Sequence, residues 1–425
     1  MSTQCRSNPA RVTAIVLALF LSCANLQAYS VLTHEEIVDL AWTSEIQPLL
    51  LQRFPGLTAD QIKEAHAYAY GGSVIQDLGY YPFGDREFSD LVHYVRSGDF
   101  VVELLRQSQD ANEYAFSLGA LSHYASDIDG HPAVNEAVAI EYPKLRAKYG
   151  KSVRYAQDRS AHLKTEFGFD TLQVAKNRYA SEQYHDFIGF KVAEPLLERT
   201  IPVVYGLDLN DVLPHQALAI GSYRFAVSQL IPEMTKVALK THKKSLMRET
   251  PNWSRRKFLY HLSRSAYQKE WGKTYEKPGL GTRILAGLLR FIPKIGPFKG
   301  VGFNNPTAKT EDLYIKSIDR TVDQYRVYLN EVRAGTLVLP NRDLDDGNMT
   351  APAEYTLADR TYATLLSGLA KDHFKDTSPQ LRDNILAFYS NLSLPIETKT
   401  NQARWQNVLT NLSALEAATS APGPE

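Results

Sequence analysis

Five histidines and three acids, His34, Asp77, His93, His123, Asp127, His131, His162 and Glu166, stand in an order and at spacings that suit a cluster of zinc ions. Two short pieces carry the strongest signal. His123-x-x-x-Asp127-x-x-x-His131 and His162-x-x-x-Glu166 place metal-ligand types four residues apart. On a helix that spacing stacks side chains on one face, about 5–6 Å apart at Cβ, within reach of one ion. A zinc ion so held brings a bound water from a pKa near 16 to roughly 7 and neutralises charge on an oxygen of a substrate. A single histidine on a helix carries no such message, and His66, His185, His215, His242, His261 and His373 are expected to be ordinary core or surface residues.

The elements that must position these groups are helices. Apolar residues recur at three and four rather than at two along most of the chain, so the expected fold is an all-α multi-helix bundle. Thr33-His34-Glu35-Glu36 has the form of a capping box, which predicts a helix from there to about residue 54, and Thr58-x-x-Gln61 opens another that ends at Gly71-Gly72. Residues 71–89, with glycines, a proline and aromatics, are expected to form a long loop carrying Asp77, with His93 at the start of a short helix after it. A strong helix is predicted over 112–129, ended by His131-Pro132, because the residue before proline is pushed out of helical geometry. Residues 161–169 should be helical and carry His162 and Glu166, and amphipathic patterns over 182–200 and 213–244 complete the bundle, which is expected to end near residue 248.

Residues 249–338 form a mixed helical segment. Its stretch 280–303 combines apolar residues with Arg283, Arg290, Lys294 and Lys299, as a helix packed in a core or lying on a membrane surface does. A polar linker is expected over 339–352, further helices over 353–418 and a disordered tail over 419–425. The first 28 residues look like an export signal, with Arg6 and Arg11, an apolar run over 12–21 and Leu26-Gln27-Ala28 as the cleavage site, which points to a periplasmic or secreted protein. Leu21-Ser22-Cys23 offers the alternative of a lipoprotein anchored at Cys23. Removing residues 1–28 takes away both cysteines and two positive charges. The 47 basic and 47 acidic residues of the whole chain argue against a stable nucleic-acid partner, which would call for a basic surface.

With these residues in view, the chain resembles the zinc-dependent phospholipase C family, whose helical metal site is shared with single-strand nucleases and 3′-nucleotidases. The stretch His123-Tyr-Ala-Ser-Asp127-Ile-Asp129 is very similar to the metal-binding helix of that family, and His162-Leu-Lys-Thr-Glu166 resembles its second ligand pair. The resemblance covers about residues 29–248. It implies three zinc ions, one of them bound by the amino group and carbonyl of a processed N-terminal residue, here Tyr29. On that pattern Tyr29, His34 and Asp127 hold one zinc, Asp127 bridges to a second held by Asp77, His93 and His123, and His131, His162 and Glu166 hold the third. Three residues separate Asp127 from His131 where relatives commonly have five. The C-terminal portion does not resemble the β-sandwich membrane domain of the clostridial toxins.

Three zinc ions carry more positive charge than Asp77, Asp127 and Glu166 neutralise, and the surplus attracts an anionic phosphate. The expected activity is therefore zinc-dependent hydrolysis of a phosphoester, foremost a phospholipid head group, with Asp77 as a ligand that also acts as general base. Peripheral membrane contact goes with such a substrate. Tyr80, Tyr81 and Phe83 are expected either to pack or to cradle a head group. The alternatives are a nuclease or nucleotidase with the same site, and a non-catalytic envelope scaffold in which zinc is structural.

Overall fold

A computed structural model describes residues 31–81, 83–175, 191–225 and 306–418. Among them there are fifteen α-helices and no sheet, in agreement with an all-α bundle. The helices are α1 Val31–Ala41, α2 Gln47–Arg53, α3 Ala59–Gly72, α4 Arg86–Tyr94, α5 Ser97–Gln107, α6 Ala111–Glu141, α7 Pro143–Tyr149, α8 Arg159–Ala175, α9 Glu194–Tyr205, α10 Leu209–Val212, α11 Gln216–Phe225, α12 Ala308–Ala334, α13 Thr356–Lys371, α14 Pro379–Phe388 and α15 Gln402–Ala417. A π-turn, Trp42–Ile46, joins α1 to α2, and 3-10 turns occupy Ile75–Tyr80 and Glu397–Thr400.

The long helix α6 is the axis of the site. Its N-terminus is capped by Asp110, whose side chain accepts from the N–H groups of Asn112 and Glu113. It packs most extensively against α3 and α12. The α3 contact is glycine-made: a Cβ on Gly72 would sit 1.8 Å from the carbonyl oxygen of Phe116, and one on Gly119 would sit 2.0 Å from that of Ala69. Only glycine permits this approach of two helix backbones. Its consequence is positional, because it brings the end of α3 against the turn of α6 that carries His123. On the opposite side Tyr325 of α12 donates to the Leu118 carbonyl at 2.9 Å. One apolar core runs from Val31 to Leu415, so the C-terminal helices share it with the N-terminal ones.

Four local expectations need correction. Thr33 is not a cap, since α1 already includes Val31, and the Thr33 hydroxyl instead donates to Asp170 at 2.6 Å. The region around Asp77 is a 3-10 turn rather than a long loop, and His93 lies in the last turn of α4 rather than its first. Helix α6 does not stop at His131-Pro132 but continues to Glu141 with Pro132 inside it. Proline at 132 removes the N–H that would bond to the carbonyl of Ile128. Gly347, with φ of +75°, packs its backbone directly against that carbonyl, where a Cβ would fall 2.4 Å from the oxygen. Packing along both sides of α6 thus outweighs the local cost of the proline.

The expected linker 339–352 is held tightly to the helices. Tyr124 donates to the Pro340 carbonyl at 2.6 Å, Ser97 to that of Arg342 at 2.6 Å, and the Leu344 N–H to that of His93 at 3.2 Å. Tyr29, the cleavage site, the bundle end near residue 248 and the amphipathic stretch 280–303 lie outside the described residues. No helix among the described residues is long and apolar enough to cross a membrane.

Candidate metal centre

Five elements converge on Asp127. His34 comes from α1, Asp77 from the 3-10 turn, His93 from α4, His123, Asp127 and His131 from successive turns of α6, and His162 and Glu166 from α8. All eight side chains are 3 % exposed or less. Asp127 is the hub. Its Oδ1 lies 3.6 Å from His34 Nε2 and 3.7 Å from His131 Nε2, and its Oδ2 lies 3.0 Å from His123 Nε2 and 3.5 Å from His93 Nε2. Asp77 Oδ1 is 3.5 Å from His93 Nε2.

Most of these separations are too long for hydrogen bonds. They match something else. Four ligands about 2.0–2.2 Å from a tetrahedral zinc are about 3.3–3.6 Å from one another. Two donor groups close in this sense share His123: His34, His123 and Asp127, and Asp77, His93 and His123. The remaining three residues are less compact. His162 Nδ1 is 2.6 Å from Glu166 Oε1, whereas the ring of His131 stands 5.6 Å from that of His162 and turns its Nε2 toward Asp127.

The donor atoms are also orphans. Asp77 Oδ1, His93 Nε2, His123 Nε2, both oxygens of Asp127, both ring nitrogens of His131, His162 Nδ1 and Glu166 Oε1 are buried without a hydrogen-bond partner among the described residues. Each such atom in a dry interior costs free energy, roughly 1–3 kcal/mol in proteins. Their concentration at one spot, all of types that bind zinc, fits a metal centre and no apolar alternative.

The outer hydrogen bonds fix which nitrogen faces inward. His93 Nδ1 is 2.8 Å from the Ser89 carbonyl and His123 Nδ1 is 2.8 Å from that of Ser73. A carbonyl only accepts, so both rings carry a proton on Nδ1 and turn Nε2 toward the carboxylates. Asn135 settles His162 in the opposite sense. Its Nδ2 donates to the Asp345 carbonyl at 3.0 Å, so its Oδ1 is the atom 2.8 Å from His162 Nε2. That nitrogen must donate, leaving Nδ1 as the lone pair toward Glu166.

Electrostatics follow from burial and crowding. Burial, then the neighbouring His123, hold His34 well below the ordinary imidazole value, and burial with His131 does the same for His162. Burial alone would raise Asp127, but the imidazoles of His123, His131 and His93 outweigh it and keep the carboxyl well below its usual range. Burial pushes Asp77 up, and burial together with the charges of Asp77 and Asp127 pushes Glu166 well up. For His93 and His123 burial acts downward, but Asp127 and Asp77 outweigh it and push both imidazoles up. A bound cation would take the place of those protons and stabilise the crowded carboxylates.

The neighbouring aromatics pack. Tyr80 is buried and donates to Asp90 at 2.9 Å, and Tyr81 is buried edge-on against Tyr223. Phe83 is half-buried with φ of +65°, an unusual conformation for a non-glycine residue beside the site. His66 is an ordinary buried histidine, bonded to Asp39 at 2.8 Å and stacked on Trp42, and His215 and His373 are exposed. His185, His242 and His261 lie outside the described residues.

Three residues of the site had no signal in the sequence. Ser73 and Ser89 contribute carbonyl oxygens, which any residue carries. Asp345 reaches the site from 339–352, where no spacing ties it to histidines some two hundred residues earlier. Asn135 was findable, because it stands four residues after His131 on the same helix face.

A model of the zinc dependent phospholipase C family matches residues 33–211, a stretch that contains all eight of these side chains. This part of the chain is similar to that family, in keeping with the resemblance seen in its metal-ligand motifs. No curated protein and no solved structure matches the chain.

Proposed function

We propose that this chain, which is similar to the zinc-dependent phospholipase C family over residues 33–211, is an exported phosphoric ester hydrolase of that kind that removes the head group of a phospholipid. The observation that carries the proposal is the set of 3.5–3.7 Å separations between buried imidazole nitrogens and carboxylate oxygens around Asp127. In this reading His34 and Asp127 would hold one zinc together with the processed N-terminal residue Tyr29. Asp77, His93, His123 and Asp127 would hold a second, and His131, His162 and Glu166 would hold a third. Zinc supplies Lewis acidity there, making water acidic near neutral pH and neutralising charge on phosphoryl oxygens.

The protein's own groups do the rest. The Ser73 and Ser89 carbonyls hold the Nδ1–H of His123 and His93 and so aim Nε2 of each ring at the carboxylates. Asp77 has two carboxylate oxygens, so that while one holds zinc the other is suited to take a proton from an attacking water and return it to the leaving alkoxide. Burial of every donor excludes competing solvent and strengthens each interaction.

The test is turnover by the purified full chain of phosphatidylcholine vesicles against single-stranded DNA. Release of a soluble phosphorylated head group, abolished by a chelator and restored by zinc, is the expected result. Cleavage of DNA without lipid turnover would replace this reading by a nuclease. Stoichiometric zinc with neither activity would leave a structural scaffold.

A further inference from the structure

Each histidine of α4, α6 and α8 at the site has one nitrogen turned inward and the other facing a group outside. For His93 and His123 the outer group is a backbone carbonyl, and for His162 it is Asn135. His131 faces Asp127 with Nε2, and its Nδ1 faces Asp345 Oδ1 at 3.7 Å. Both of those atoms, Nδ1 and Oδ1, are buried without a hydrogen-bond partner among the described residues. A donor and an acceptor, each otherwise unsatisfied, stand opposite each other.

Asp345 is built to be there. It is 1 % exposed, and its other oxygen accepts from two phenols, Tyr94 at 2.8 Å and Tyr355 at 2.5 Å. Its backbone carbonyl takes the Asn135 hydrogen bond, which also sets His162. No lysine or arginine of the described residues forms an ion pair with it. Its neighbour Asp346, by contrast, is answered by Arg154 at 3.2 Å, and Arg154 also reaches Glu354 at 2.8 Å. A buried carboxylate lacking a basic partner is costly unless an imidazole or a cation balances it. The Gly347 turn against Ile128 and the Leu344 bond to His93 hold the segment in register with α6 and α4.

We propose that Asp345 is a positioning residue of the zinc centre: it accepts the Nδ1 proton of His131 and so presents Nε2 to the metal. This inference rests on the zinc reading above. A closure of about 0.7 Å brings the pair into hydrogen-bond range. The segment that carries Asp345 lies beyond residues 33–211, so the C-terminal part of the chain completes a site otherwise drawn from the family region. The short Asp127–His131 spacing accounts for the need. His131 sits one turn along α6 from Asp127, and its outer nitrogen meets a separate segment instead of a carbonyl of its own surroundings.

The experiment uses the zinc-loaded full chain and its Asp345→Ala and Asp345→Asn variants. Zinc retained against a competing chelator is measured, together with the downfield imidazole N–H resonances of histidine-labelled protein. Asp345→Ala is expected to weaken one zinc by about 10–100-fold and to lose one N–H resonance, the one also missing in His131→Ala. Asp345→Asn keeps an acceptor oxygen and is expected to keep that resonance, with affinity within a few-fold of wild type. Wild-type affinity and spectrum in Asp345→Ala would overturn the inference and leave the zinc centre standing. Equal loss in both variants would overturn it in favour of direct ligation by the carboxylate. A wild-type chain that retains no zinc would remove the zinc reading itself, and this inference with it.

Discussion

Replacing Asp127 by alanine is the sharpest perturbation of the centre, because its two oxygens face the Nε2 atoms of four histidines. Three of those histidines, His34, His93 and His123, supply the imidazoles of both compact donor groups, so one substitution is expected to weaken two ions. An ion that binds only the folded state at a free concentration 100-fold above its dissociation constant adds about 2.7 kcal/mol of stability, so two add about 5 kcal/mol. That is a large share of the 5–15 kcal/mol typical of a folded domain. In chelator the same substitution removes the carboxylate from among buried imidazoles, which can remain neutral, and is expected to cost only about 1–3 kcal/mol. Urea unfolding followed by circular dichroism, with buffered zinc and with chelator, separates the two. Wild type should gain about 5 kcal/mol from zinc, and Asp127→Ala should gain little. Asp129→Asn, two residues on and half-exposed beside Arg320 at 4.0 Å, should keep the wild-type gain. An Asp127→Ala protein that gains as much from zinc as wild type would refute the reasoning.

Gly347→Ala should lower the thermal midpoint by several degrees, because the residue has φ of +75° and a Cβ would lie 2.4 Å from the Ile128 carbonyl oxygen, an immovable backbone atom. An unchanged midpoint would mean that the turn is not pinned to α6. Burial raises the Glu141 carboxyl to about 7, an effect that hydrogen bonds from Thr310 and Thr165 only partly offset. A raised carboxyl favours the protonated folded state, so its contribution is present below about pH 4.5 and is lost as pH climbs through about 7. Glu141→Gln should therefore stabilise the protein relative to wild type at pH 8 and have little effect at pH 4.5, as read by denaturant midpoints at the two values. Equal effects at both would count against the raised carboxyl.

The clustered histidines and acids are legible in the sequence to the extent that helix geometry is local. His123 and Asp127 share a face because they are four apart on one helix, and the same holds for His162 and Glu166; no tertiary information is needed. The Thr58 cap and the Gly72 end of α3 are legible for the same reason. The fate of Thr33 and of Pro132 is not local. A threonine two residues before a glutamate pair looks like a cap until Asp170, 137 residues away, accepts its hydroxyl. Proline stops a helix when nothing supports the next turn. Here Val134, Ala137 and Val138 continue an apolar face into a second core cluster with Phe169 and Tyr314, and that burial carries α6 on to Glu141.

The same continuation explains why a stretch with the composition of a linker ends beside His131 and Asn135. Because α6 runs straight through Pro132, the Ile128 carbonyl is left without its helical partner, and the face beyond it offers His131 and Asn135 rather than a chain reversal. A segment that meets this face needs a glycine at the carbonyl, an acid for the imidazole and a carbonyl for the amide. Gly347, the Asp345 side chain and the Asp345 backbone meet the three demands within three residues. Composition marks such a stretch as polar and turn-forming, which it is. Only the path of α6 decides that the polar groups point at histidines and not at water.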